Sequence, residues 1–136
     1  MLFLDSSALV KRYVAEEGTT AVAAVMEEDP VWTASALARA ESEVTLCHRR
    51  IDSVALVHVR QSLSGDWEQF QVIPVDAACL ALAIALGCAH RVRTLDAIHL
   101  AAAARLPRPF RFLTFDGRQA DAARAMGFDV VSDAHD

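Results

Sequence analysis

A chain of 136 residues is enough for one domain, and with 54% of it apolar it can bury a core, which excludes a disordered segment. Its apolar runs break or carry charge well short of the roughly 20 residues of a membrane span. The start Met1-Leu2-Phe3-Leu4-Asp5 lacks the basic, then apolar layout of a secretory signal, so a single cytoplasmic domain over residues 1–136, without a membrane partner, is expected. The formal charge of −5 is the wrong sign for binding nucleic acid by bulk charge, although four of the acids are candidates for a metal site and the remainder is close to neutral.

Leu2-Phe3-Leu4 predicts a strand that stops at the capping cluster Asp5-Ser6-Ser7. A helix follows from Ala8 to about Ala15, then one capped by Thr19-Thr20 that runs to Glu28 and stops at Asp29-Pro30. Val31 to Ala34 is a second strand, and Ser35 caps a helix to about Arg50. Ser53 opens another to about Leu63, with Val54, Val57 and Leu63 on one side. Phe70 to Ile73 is a third strand, closed by Pro74. Asp76 caps a helix to about Leu86, stopped by Gly87. An alanine-rich helix starts at Leu95-Asp96 and runs to about Arg105. Phe110 to Thr114 is a strand, Asp116-Gly117 a turn, Arg118 to Met126 a helix, and Phe128 to Val131 the last strand. Strands alternating with helices predict a three-layer α/β/α sandwich around a central parallel sheet of about five strands. In such sheets ligands bind outside the carboxyl ends of the strands.

That rule directs attention to the acids. Asp5 and Asp116 stand at strand exits, Asp96 at the start of an apolar helix, and Glu41 on a helix dense in alanine. Each also has a purely structural explanation: Asp5, Asp96 and Asp116 as helix caps, and Glu41 as a solvated helix residue. Taken together, four carboxylates converging on one crevice would repel each other unless a cation sat among them. Oxygen ligands without Cys or His suit Mg²⁺ or Mn²⁺, and the chemistry such a site serves is phosphoryl transfer.

Four segments carry a resemblance: Leu4 to Leu9 around Asp5, Ser35 to Glu41, Arg93 to Ala101 around Asp96, and Leu113 to Arg118 around Asp116. In order and spacing they resemble the PIN-domain nucleases and, more narrowly, the VapC toxins of toxin–antitoxin pairs. The resemblance covers the whole chain. It implies an Mg²⁺- or Mn²⁺-dependent endoribonuclease, with the family's acids on Asp5, Glu41, Asp96 and Asp116. It also matches Ser7 to a hydroxyl beside the first acid and Thr114 to one ahead of the last. The partners implied are an RNA substrate, a cognate antitoxin and a second copy in a homodimer, with the helices from about Thr19 to Leu63 as candidates for the protein contacts. Glu43 competes with Glu41, but the spacing from Ser35 favours Glu41. The two point about 200° apart around a helix, so they cannot face one ion.

His99, one helical turn past Asp96, either orders the site or packs as a core histidine. His48, His58, His90 and His135 show no metal-ligand spacing. Arg39, Arg93 and Arg118, each near an acid, are candidate phosphate contacts, while Asp76 reads as a cap and Asp121 as a solvated residue. Cys47, Cys79 and Cys88 form neither a disulfide framework nor a zinc motif and are expected as small buried hydrophobes. A D-x-D phosphatase would need an acid at position 7, where Ser7 stands. A phospho-receiver would need a late lysine, and Lys11 is the sole lysine. A non-catalytic binding module would have no use for all four acids.

Overall fold

The computed structural model describes residues 1–132, so His135 lies outside the described residues. In chain order the elements are β1 (Leu2–Leu4), α1 (Ser6–Lys11), α2 (Thr19–Glu28), β2 (Trp32–Ser35), α3 (Ala36–His48) and α4 (Ser53–Trp67), followed by β3 (Gln71–Ile73), α5 (Ala77–His90), α6 (Thr94–Ala103), β4 (Arg111–Leu113), α7 (Gly117–Ala125) and β5 (Asp129–Val131). The five strands form one sheet in the order β3-β2-β1-β4-β5, and every pairing is parallel. The strands and sandwich layers expected from the sequence are therefore present.

β1 lies at the centre, and all three of its residues are fully buried. Successive strand residues face opposite sides. Leu2 and Leu4 pack with Leu9, Val22, Met26, Leu46 and Leu63 from α1 to α4. Phe3 packs on the other side with Ala83, Leu100, Phe112 and Ala123 from α5, α6, β4 and α7. Its ring stacks on that of Phe112 at 5.2 Å, its register partner on β4. Burying such side chains contributes about 1.5–3 kcal/mol each. The chain winds outward from β1 to β2 and β3, then crosses to β4 on the other side of β1. The sheet's switch point is thus the gap between the carboxyl ends of β1 and β4, where a parallel sheet presents its crevice.

Several boundaries differ from expectation for local reasons. The first helix ends at Lys11 rather than Ala15. The Thr19 hydroxyl, instead of capping α2, donates to the Val14 carbonyl at 2.8 Å and accepts from the Glu16 N–H at 3.0 Å, while Gly18 occupies the cap position. Gly87 does not stop α5, which continues to His90 and ends where Arg91 takes a left-handed conformation. At Gly87 an added Cβ would stand 3.5 Å from the Ala97 Cβ, an ordinary contact, so α5 passes through this glycine while packing on α6. α4 runs past Leu63 to Trp67 and is capped by Asp52. Of its three residues read as one face, Leu63 is buried while Val54 and Val57 are exposed. Of the cysteines only Cys79 is buried; Cys47 and Cys88 are exposed. Among the described residues no single helix is long and apolar enough to cross a membrane.

Two glycines make opposite demands on the backbone. Gly18 has φ +96°, and a Cβ there would lie 2.8 Å from Phe115 Cε1 and 2.9 Å from Lys11 Cδ. Gly65, exposed within α4, has nothing within 4 Å. Gly18→Ala should lose at least about 1–2 kcal/mol from the left-handed conformation alone. Gly65→Ala should gain about 0.5–1 kcal/mol. Chemical denaturation of the two variants checks both signs.

Candidate active site

Asp5, Asp96 and Asp116 line one cavity of about 380 Å³ at the switch point, together with Ser7, Lys11 and Arg49. Asp5 comes from the exit of β1, Asp116 from just past β4, and Asp96 from the first turn of α6. Three residues far apart in sequence therefore share one wall because β1 and β4 are neighbours and α6 passes their ends.

Asp5 is almost fully buried and caps α1, accepting from the Ala8 N–H at 3.1 Å. The Ser7 hydroxyl donates to its Oδ1 at 2.6 Å, and the Thr114 hydroxyl donates to Oδ2. Each hydroxyl also accepts from the backbone past β4: Ser7 from the Phe115 N–H at 2.9 Å and Thr114 from the Asp116 N–H at 3.1 Å. Each has one proton, and both protons go to Asp5, so the 3.3 Å approach of the two hydroxyl oxygens is a consequence of sharing that carboxylate. Ser7 and Thr114 thus tie the exits of β1 and β4 together. Burial raises the Asp5 pKa, and this outweighs the lowering by His99 and by the three donors.

Asp116 caps α7, with Oδ1 accepting from the Arg118 and Gln119 N–H groups at 2.9 and 3.3 Å. For Asp5 and Asp116 the cap and cavity assignments are both true: the cap fixes the carboxylate at the rim. Asp96 is no cap. Arg93 holds the cap position of α6, and no hydrogen bond reaches the Asp96 carboxylate among the described residues. Burial raises its pKa, followed by the negative charges of Asp116 and Asp5; Glu41 adds to the rise and His99 opposes it.

Glu41 lies on α3 and is tied to the group through two neighbours. Its Oε1 accepts from the Ser6 hydroxyl at 3.1 Å and is hydrogen-bonded to His99 Nε2. His99 is buried on α6, and its Nδ1 meets the Ser35 hydroxyl at 3.1 Å. Burial pushes the Glu41 pKa up, but the hydrogen bond and charge of His99, with the Ser6 hydroxyl, more than reverse this, and it is lowered overall. Glu43 points elsewhere, paired with Arg39 at 3.2 Å, so of the two glutamates it is Glu41 that lies with the group, and Arg39 is engaged by an ion pair. Ser35 makes no capping bond; its hydroxyl serves His99 instead. Ser6 and Gln119, whose Nε2 donates to the Asp96 carbonyl at 3.0 Å, are site residues that the sequence alone does not single out, and Ser35, which stands out at a strand exit, does so as a cap. Serine next to a strand exit reads as capping, and only the packing of α3 on α6 shows otherwise.

The donor chemistry, carboxylates and hydroxyls without sulfur, fits a hard divalent cation. The side-chain placement is less complete: among the described residues, no three Asp, Glu, His or Cys side chains stand in ligating positions around one point. Asp5 and Glu41 are held by hydroxyls and His99, while the half-buried Asp96 carboxylate is unrestrained at the rim.

Residues 2–125 match the PIN domain family. The chain belongs to the PIN-domain family. It is 36% identical to ribonuclease VapC46 of Mycobacterium tuberculosis, over 96% of each chain. Its fold is similar to that of the Mycobacterium tuberculosis VapC20, a toxin cleaving the sarcin–ricin loop, with TM-score 0.77, 17% identity and coverage of 97% and 99% of the two chains. It is also similar to a chain of a toxin–antitoxin complex from Klebsiella pneumoniae, with TM-score 0.72, 18% identity and 97% of each chain covered.

The raised Asp96 pKa has a stability consequence with a definite sign. A carboxyl that holds its proton more tightly folded than unfolded costs nothing below the ordinary value of 3.8; the cost grows as pH rises from there and is complete above the folded pKa. The favourable placement of a negative charge in the first turn of α6 reduces that cost without cancelling it. Asp96→Asn should therefore raise the melting temperature of the cation-free protein by a few degrees at about pH 7, and the gain should shrink as pH falls towards 3.8. Thermal melts in chelator at the two ends of this range check it; a variant that melts lower at neutral pH would make Asp96 a structural residue.

Proposed function

We propose that this PIN-domain protein is an endoribonuclease, the toxin of a toxin–antitoxin pair, that hydrolyses RNA phosphodiester bonds with Mg²⁺ or Mn²⁺ held by Asp5, Asp96 and Asp116 and, directly or through water, by Glu41. One observation carries the reading: three carboxylates from separate elements share a cavity, two have raised pKa values, and none forms an ion pair with a basic side chain among the described residues. Carboxylates crowded in this way lack the counter-charge that a divalent cation supplies. The name of the 36%-identical relative, a ribonuclease, supports the same reaction. When bound, the cation would lower the pKa of a water molecule and neutralise charge on the phosphoryl oxygens.

The chain's own residues have distinct tasks in this reading. Asp5, fixed by Ser7, Thr114 and the Ala8 N–H, is the immobile acceptor. Asp116, anchored by the α7 amides, and the unrestrained Asp96 complete the acid wall beside it. His99 keeps Glu41 turned towards α1 and α6 rather than towards solvent. A D-x-D phosphatase is disfavoured because the position two after Asp5 holds a hydroxyl that donates to it.

Antitoxin docking, homodimerisation and a cytoplasmic place of action belong to the same proposal. Two exposed apolar faces are available for protein contacts: Val44, Val54 and Val57 on α3 and α4, within the Thr19–Leu63 stretch, and Leu80, Ile84 and Leu95 on α5 and α6, outside it.

An RNA cleavage assay with Mg²⁺, Mn²⁺ or chelator, run beside p-nitrophenyl phosphate, tests the activity. RNA should be cut only with divalent cation, and the phosphate ester left intact. Asp96→Asn and Asp116→Asn should each lose more than the roughly 10–100-fold that removing an outer-shell partner costs. Cleavage that survives chelator would contradict the proposal. Cation binding should also stabilise the protein, by about 2.7 kcal/mol at 100 times the dissociation constant.

A further inference from the structure

The acid cavity does not end at its acids. Asp96 and Asp116 also form one wall of a second cleft, of about 350 Å³, whose other walls carry Arg91, Arg93 and Arg118. A third cleft continues outward from there, sharing Arg91, Val92 and Arg118 with the second and reaching His90. Most arginines of this chain are occupied. Arg12, Arg39, Arg49, Arg60, Arg105 and Arg111 pair with carboxylates, and Arg108 donates to two backbone carbonyls. Arg91, Arg93 and Arg118 are exposed and have no ion pair or side-chain hydrogen bond among the described residues. An acid cavity alone would draw positive side chains into salt bridges. Here Arg93 and Arg118 flank the acids in sequence and line the adjoining cleft, yet neither pairs with Asp96 or Asp116.

The local backbone helps to place them. Arg91 takes φ +54°, a conformation that side-chain-bearing residues adopt rarely, and by doing so turns the chain from α5 into α6. Arg93 follows as the cap residue of α6, and Arg118 sits in the first turn of α7. Three elements thus deliver three guanidinium groups to one cleft beside the acids.

We propose that the cleft of Arg91, Arg93 and Arg118 binds the phosphates of a single-stranded RNA next to the one being cut, so that the strand leaves the acid cavity through it. This rests on the ribonuclease reading, and it adds a binding track on one defined side of the site. A strand cut in the acid cavity must continue into space adjoining it, and this cleft adjoins it through Asp96 and Asp116. Guanidinium forks donate paired hydrogen bonds to phosphate oxygens. Such contacts set the register of the strand and carry no base specificity. They also explain how a chain of net charge −5 holds a polyanion: the positive charge is local to the path.

The test is binding of a short single-stranded RNA across a salt series, measured by fluorescence anisotropy on the full chain in Ca²⁺, with cleavage kinetics in Mg²⁺ alongside. The variants are R91Q, R93Q and R118Q singly and combined, with R50Q as a control that removes an exposed arginine lining none of these clefts. Melting curves establish that each variant is folded; since Arg91 shapes a turn, the R93Q/R118Q pair stands in if R91Q is not. For single strands each phosphate contact contributes about 0.7 to the slope of log K against log salt. The slope should therefore fall by about 0.7 for each arginine lost, KM should rise with kcat nearly unchanged, and R50Q should behave as wild type. If wild type cuts RNA but the combined variant keeps its slope and KM, or R50Q lowers both equally, the track is overturned while the ribonuclease reading stands. If wild type binds RNA through these arginines without cutting it, the ribonuclease reading falls and the track falls with it, leaving the cleft as an RNA-binding surface. Binding of an acidic peptide to the same arginines, with RNA binding unaffected by their loss, would overturn the track in favour of a protein partner.

Discussion

Carboxylates brought together in a partly dry cavity repel one another, and the fold described here holds three of them in that position. Burial dominates the direction of the shifts, and at Asp96 repulsion adds to it. Asp96 is pushed towards its neutral form by burial and then by the charges of Asp116 and Asp5, and Asp5 by burial that its three hydrogen-bond donors do not overcome. A cluster of like charges costs stability unless a counter-charge joins it. Lys11 and Arg49 line the same cavity but pair with Glu16, and the three arginines of the next cleft leave the acids alone.

What maintains the cluster is the sheet. The parallel pairing of β1 with β4 sets the exits carrying Asp5 and Asp116 side by side, and the hydroxyls of Ser7 and Thr114 lock that approach with bonds to both strand exits. The stacked Phe3 and Phe112 rings on the same two strands anchor the register from beneath. On the other flank, a buried chain from Ser35 through His99 to Glu41 joins β2, α6 and α3. Strain from like charge is thus borne by core packing and hydrogen bonds distributed over several elements, and the fourth acid remains ionised because its partner is His99.

Much of this was legible in the sequence because it rests on local rules. Short apolar runs punctuated by Asp, Ser and Gly predict all five strands, and the strand-exit rule points to Asp5 and Asp116. The misreadings share a cause. Ser35, Thr19 and Gly87 each carry a strong local signal, as cap, cap and stop, and another contact outweighs it: His99 from a distant helix for Ser35, the nearby Val14 carbonyl for Thr19, and the packing of the continuing α5 on α6 at Gly87. The choice between Glu41 and Glu43 was decided by a spacing argument, and its physical reason is the Arg39 and His99 partners that the two glutamates find on opposite sides of α3. The arginine cleft was half visible: Arg93 and Arg118 stood near acids in the chain, but Arg91 joins them only through a left-handed turn that no sequence pattern announced.

The most direct test of the crowded acid cluster is a carboxyl-detected NMR titration of the cation-free protein, repeated with saturating Mg²⁺. Asp5 and Asp96 should titrate above their ordinary 3.8 without cation, and both should fall well below it once Mg²⁺ is present. Ordinary values for both groups that do not move with Mg²⁺ would show that the three carboxylates neither repel one another nor share an ion.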